Sequence, residues 1–479
     1  MKLTAKLCLL LTFFCSAFAH AQITNFSHIV VIIQENRGPD NMFQGLCSSP
    51  YGTSSSCNTK PNSTQYDILT SNWLDKTSKT GVTQPISVEL DNNYDVSHSH
   101  DGFTTTCDLN TTTGICRMDG AAESSCTDCT GVAQPHYRYV DNSTGILNPY
   151  LTLATSYGWA NYMFETQQGP TFPSHQFLFG GTSAPSAADD AIATFSDSNM
   201  YPAANNPIAG CIAPSNIHVD LIEAGNKTGQ TYPCFDHTTI ADLVEGVNVS
   251  WHYYNPGFDS IVTAPNAIDH ICVPSEPTGG TCTGSEFTDN VITPPKKVLT
   301  DIGDCTLAGM VWVTPSGADS DHANSNDGGG PAWVASIVNA IGNNPKCKSG
   351  ENYWDDTAII VTWDDWGGWY DHEPPTILAG NEGDFQYGFR VPFIVISAYT
   401  PVGYIDNTRM DWGTLLRFIE HNWGIEEGAL GFADARATTD MTEFFNLKEA
   451  PRSFVTIPAD RDASFFINDD RPMTEPDDY

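Results

Sequence analysis

Residues 357–375 read TAIIVTWDDWGGWYDHEPP. Thr357 to Trp363 is a short apolar run rich in β-branched residues, the pattern of a strand buried on both faces. It stops at Asp364-Asp365, and the chain then turns at Gly367-Gly368. In an open α/β sheet, polar groups just past the carboxyl end of a strand lie where ligands bind. Two adjacent carboxylates there are costly to bury unless a cation neutralises them, and a metal ion is the usual solution. A solvated turn would accommodate the same pair, so the reading depends on what else converges on it.

A second stretch has the same design. In residues 28–46, HIVVIIQENRGPDNMFQGL, the run His28 to Ile33 suits a buried strand, and it ends on Glu35-Asn36, which offer hard oxygen ligands. Further strands are predicted over 247–254, 309–315 and 390–398. Helices are predicted over Leu147 to Tyr157, Thr238 to Val244, Pro331 to Ile341 with proline at the start, and Asp411 to His421 with an aspartate N-cap. Helices alternating with buried apolar strands predict an α/β fold with a mostly parallel central sheet flanked by helices.

Three other segments carry groups capable of chemistry. DNNYDVSHSHDGF (91–103) sets His98 and His100 beside Asp95 and Asp101. Residues two apart point oppositely in an extended chain, so one of the two histidines is expected to face any given site. Gly169-Pro170-Thr171 places a hydroxyl ahead of Phe172-Pro173-Ser174-His175. Threonine is a poor nucleophile unless a metal or base assists it, and Ser174 competes with it. Ser320-Asp321-His322 follows the 309–315 strand.

Composition narrows the function classes. The chain has 57 acidic against 21 Lys+Arg residues and a formal net charge of −36. That excess opposes binding to nucleic acid or to a strongly anionic membrane. An anionic substrate would need a local positive centre, which a metal supplies. Residues 1–21 have the basic start, apolar core and Ala19-His20-Ala21 end of a secretory signal peptide, which predicts an extracellular or periplasmic protein. No later run is apolar enough for a transmembrane segment. Beyond Cys8 and Cys15 the cysteines form an even set, read as disulfides stapling loops, with neighbours in sequence as the first pairing to consider. Residues 22–479 are expected to form one domain with insertions at about 48–90 and 186–305, and the acidic stretch after Thr438 to wrap the surface.

ENRGPDNMFQGL, GPTFPSHQFLFGG and TWDDWGGWYDHEPP followed by YGFRVPFIVIS, in this order, resemble the phosphoesterase family. That family includes bacterial phospholipases C, plant non-specific phospholipases C and a bacterial acid phosphatase, on an alkaline-phosphatase-like fold. The resemblance implies a divalent metal ion (Zn, Mn, Ca or Mg) held by Glu35, Asn36, Asp364 and Asp365, with Thr171 as nucleophile. It implies that His98, and His322 with Asp321, bind phosphate oxygens or protonate the leaving group. Arg37 would stabilise phosphoryl charge, and His372 is a further candidate. The sequence departs from the family at Asp365-Trp366, where Glu-His is common, at Gly38-Pro39, and in lacking a histidine near Trp412. The implied activity is secreted phospholipase C, with phosphothreonine as intermediate and transient contact with a zwitterionic membrane surface. Acid phosphatase is the first alternative, and a non-catalytic extracellular metal-binding module the second. Adjacent Asp364 and Asp365 do not straddle a sugar bond as a glycosidase requires.

Overall fold

The structure is a computed structural model and describes residues 24–198, 208–223, 225–344, 347, 352–378 and 385–477. The signal-peptide segment lies outside the described residues. His28–Gln34 (β1), Gly158–Ala160 (β2), Trp251–Tyr254 (β3), Val291–Ile292 (β4), Met310–Val313 (β5), Thr357–Trp363 (β6), Phe393–Ile396 (β7) and Tyr404–Asp406 (β8) form one eight-stranded sheet. Its order is β4-β3-β5-β1-β6-β7-β2-β8. All pairings are parallel except those of β7, which runs antiparallel to both β6 and β2. The predicted parallel α/β sheet is therefore present with one reversed strand.

At its centre β1 and β6 pair in register over seven residues, from His28 opposite Thr357 to Gln34 opposite Trp363. Every residue of both strands is buried, so helices and loops cover both faces. Asn148–Ser156 packs with Gly330–Asn343 in one helix group, and Thr171–Gly180 packs with Ile240–Gly246 and Trp412–Asn422 in another. Phe179, on Thr171–Gly180, meets Trp251, Tyr253 and Trp312 of β3 and β5 at ring distances of 5.2–5.8 Å. Large aromatic contacts of this kind fix the helix against the sheet.

The expected insertions differ in kind. Residues 48–90 are a loop region with short strands, tied by Cys47–Cys57. Residues 186–305 are not a single insertion, because β3 and β4 lie inside them and complete one side of the main sheet. Around these strands sit a separate three-stranded sheet (Thr194–Ser196, Val219–Glu223, Asn226–Thr231) and the Cys211–Cys234 and Cys272–Cys282 pairs. Cys107–Cys116, Cys126–Cys129 and Cys305–Cys347 complete six pairs, each between sequence neighbours. No helix among the described residues is long and apolar enough to cross a membrane.

Candidate metal and phosphoryl site

The in-register β1–β6 pair delivers two acidic strand ends to one place. Asp364 N–H donates to Gln34 O at 2.9 Å, and Asn36 N–H donates to Asp364 Oδ1 at 3.1 Å. Asn36 adopts a left-handed backbone (φ 62°), which turns the chain sharply after Glu35. Gly367 (φ 67°) passes so close that a Cβ there would lie 1.8 Å from Asn36 O. Glycine is required at that crossing.

Thr171 is the first residue of the ten-residue helix Thr171–Gly180, so its hydroxyl sits at the positive end of the helix dipole. It donates to Asp477 Oδ2 at 2.6 Å and lies 3.5 Å from Asp365 Oδ2. Ser174 turns away, donating to Pro170 O and accepting from Gln167. His98 and His322 stand edge to face, ring centroids 5.7 Å apart. With its amide oxygen facing them, Asn36 accepts from His98 Nε2 (3.1 Å) and His322 Nε2 (3.0 Å), and its NH₂ donates to Glu35 Oε2 and Asp364 Oδ1. Burial disfavours charge on both rings. Asp365, Asp477 and Asp95 outweigh it at His98, whose pKa is raised well above the usual value; Asp477 and Asp95 push His322 up to about 9. Acidic neighbours thus favour the cationic form of both imidazoles, whose Nε2 atoms flank the Asp477 carboxylate.

The carboxylates on the other side have no such partner. Burial, then Asp477, raises the Glu35 pKa to about 8. Burial and Glu35 raise Asp364, and burial and Asp364 raise Asp365, each well above the carboxylate range. Glu165, buried nearby, is raised by burial and the same two aspartates.

His175 joins this group, although nothing in its sequence context assigned it a role. Four residues after Thr171, it lies one helical turn on and on the same face. Tyr253 donates its hydroxyl proton to Val262 O (2.7 Å), so at 3.0 Å from His175 Nδ1 it accepts the ring proton there. Nε2 is left with its lone pair directed at Glu35 Oε1, 3.7 Å away. Burial holds the ring neutral by lowering its pKa to about 4. Glu35 Oε1, His175 Nε2 and Asp364 Oδ2 are all buried without a hydrogen-bond partner, and ligand atoms of these three residues lie within 4.8 Å of one another. A lone pair and two carboxylate oxygens converging without a donor fit a divalent cation.

Three other expected site residues point elsewhere. Asp321 accepts from Tyr150 (2.7 Å) and Trp363 Nε1 (3.0 Å), bracing the β6 end rather than entering the site. Arg37 spends its guanidinium on Asp321 O, Leu90 O and Asn92, and stacks on Trp369 at 4.9 Å. It anchors backbone and has no contact with Thr171. His372 bonds Asp40 (2.7 Å) and Asp67 (3.1 Å) in a network with Arg390 and Asp371. There two cations already offset three carboxylates, so the cluster is a structural brace.

Two outcomes follow from these networks. His175→Ala is expected to weaken zinc or manganese binding about 10- to 100-fold by titration calorimetry; unchanged affinity would remove His175 from the ligand set. At His372, burial disfavours the cation but Asp40 and Asp67 outweigh it, raising the pKa from 6.5 to about 10. Because the folded value is the higher, this stabilisation is full below pH 6.5 and lost as pH rises through about 10. His372→Gln should therefore cost on the order of 3 kcal/mol at pH 6 and converge on the parent above pH 10 in denaturant titrations. A pH-independent difference would contradict that assignment.

The sequence profile of the Phosphoesterase family matches residues 26–426. Phospholipase C A of Mycobacterium tuberculosis is 24% identical over 240 residues, covering 46% of this chain and 45% of that protein. The non-hemolytic phospholipase C of Pseudomonas aeruginosa is 21% identical over 310 residues, covering 58% of this chain and 39% of that protein. The matches thus span less than half the length of either relative. Among solved structures, an alkaline phosphatase superfamily protein from Vibrio parahaemolyticus is similar over 60% of this chain and 63% of that one, with a TM-score of 0.33 and 13% identity. With the family profile matched across most of its length, the chain belongs to the Phosphoesterase family.

Proposed function

We propose that this protein is a secreted, metal-dependent hydrolase of phosphoric esters, a phospholipase C in which Thr171 attacks phosphorus. The observation that carries this reading is the position of the Thr171 hydroxyl. It lies at a helix N-terminus, 3.5 Å from Asp365 Oδ2, and shares the Asp477 carboxylate with His98 and His322. The named relatives are phospholipases C, which supports the choice of substrate class. Secretion is supported by the signal-peptide pattern and by six disulfides.

Glu35, Asp364 and His175, with Asp365 beside them, would hold a divalent cation, whose positive charge would lower the cost of ionising the hydroxyl. Thr171 releases its hydroxyl proton to water, and Oγ1 forms a bond to phosphorus as the bond to the lipid alcohol breaks, in line. His98 or His322 passes an Nε2 proton to the departing alkoxide, and the pair stabilises the phosphoryl oxygens. Water, deprotonated by the same imidazole, then attacks phosphorus; the P–Oγ1 bond breaks, Oγ1 regains a proton from water, and the phosphorylated head group leaves.

A cavity of about 680 Å³ opens beside Gly169, two residues before Thr171, lined partly by Phe103, Phe195, Ile377 and Phe385. Its aromatic wall suits an apolar leaving alcohol and favours the diester of a phospholipid over a small monoester. Phosphatidylcholine and p-nitrophenyl phosphate assayed side by side should show the diester turned over faster; dominant monoester turnover would make the protein an acid phosphatase. Thr171→Ala should lower turnover on the order of a thousandfold or more while metal content and fold persist. Undiminished turnover would exclude Thr171 as nucleophile, and turnover absent from the parent protein would favour a metal-binding module.

A further inference from the structure

The space between Thr171, His98 and His322 is filled by a carboxylate of the chain itself. Asp477 Oδ2 accepts from Thr171 at 2.6 Å and lies 3.2 Å from His98 Nε2, while Oδ1 lies 3.6 Å from His322 Nε2. Burial opposes its ionisation, yet the two imidazoles outweigh burial and hold its pKa well below the usual range, so the group is an anion. Thr171, His98, His322 and Asp477 are all buried.

The path of the chain shows how the carboxylate gets there. Residues 472–474 are exposed, Glu475 is half-buried, and Pro476 and Asp477 are buried, so the segment dips from the surface into the site. It has no helix or strand of its own. Thr474 O accepts from Gly317 N–H at 2.9 Å, Glu475 Oε2 accepts from Ser260, and Ser325 reaches Glu475 O. Backbone attached through a few loop bonds opens at low cost compared with the paired core strands.

We propose that segment 472–477 is an intramolecular competitor of the substrate, its Asp477 carboxylate occupying the subsite of the phosphoryl oxygens, so that the site opens only when the segment withdraws. This rests on the reading of Thr171 as nucleophile. A general base for Thr171 would have to leave the opposite side of Oγ1 free for phosphorus and leave the imidazoles to the phosphoryl oxygens. Asp477 does not leave the imidazoles free, because its two oxygens lie 3.2 and 3.6 Å from His98 Nε2 and His322 Nε2 while it also holds the hydroxyl proton. A second anion cannot share those donors, and like charges a few ångströms apart in a buried site repel strongly. Binding of a phosphate ester is therefore weakened by the fraction of molecules in which the segment is withdrawn.

The test uses full-length, metal-loaded protein with Asp477→Ala, and with Asp477→Asn in case the first variant folds poorly. Titration calorimetry with inorganic phosphate is expected to show binding about tenfold tighter or more in the variants than in the parent. On a phosphate ester, KM should fall by a similar factor with kcat retained. Unchanged phosphate affinity in a folded variant would overturn the proposal, as would a fall in kcat, which would make Asp477 a catalytic base. Loss of bound metal would make it a ligand and would overturn the proposal equally. Tighter phosphate binding with no ester turnover in either protein would uphold the competitor and overturn the hydrolase reading instead.

Discussion

Glu35, Asp364, Asp365 and Asp477 are buried around a single hydroxyl, and that concentration of negative charge is the constraint to which the rest of the structure answers. An uncompensated charge in a protein interior costs several kcal/mol, and like charges in contact cost more. The fold meets the cost unevenly. Asp477 is balanced by His98 and His322, whereas Glu35 Oε1 and Asp364 Oδ2 have no donor and stand near a neutral His175. A divalent cation would resolve the second half and, on the competitor proposal, a phosphoryl group in place of the carboxylate would preserve the first. The site is thus built as two halves of opposite appetite, one for a cation and one for an anion, with Thr171 on the boundary.

The central strand pair makes this arrangement possible. Adjacent parallel strands in register end side by side, so Glu35 and Asp364 are juxtaposed by backbone pairing alone. The crossing of Asn36 O over Gly367 and the left-handed turn at Asn36 then aim both side chains inward. Thr171 arrives on a helix whose aromatic residues are fixed against β3 and β5. Precision at the hydroxyl therefore derives from rigid elements rather than loops.

Much of this was legible in the residues. The β-branched runs over 28–33 and 357–363 marked buried strands, and the polar residues just beyond them marked the site, because strand ends in an α/β sheet are where ligands collect. Direction was not legible. The pattern of Phe393–Ile396 is the same for a parallel and an antiparallel strand, and the structure makes it antiparallel. Side-chain direction was hidden for the same reason at Arg37, Asp321 and His372, whose neighbours in sequence are site residues but whose own groups brace the backbone. His175 sat inside an apolar helical stretch, and its relation to Glu35 depends on Tyr253, far away in the chain; spacing from Thr171 was the available signal. Asp477 lies in a polar stretch expected at the surface, and no periodicity marks a coil that folds inward.

The most direct measurement is anomalous diffraction from crystals of the protein loaded with zinc or manganese. The account predicts one strong peak within about 2.3 Å of Glu35 and Asp364 oxygens and of His175 Nε2, adjacent to Thr171 Oγ1. A peak at the Asp40–Asp371–His372 cluster with none beside Thr171 would contradict it.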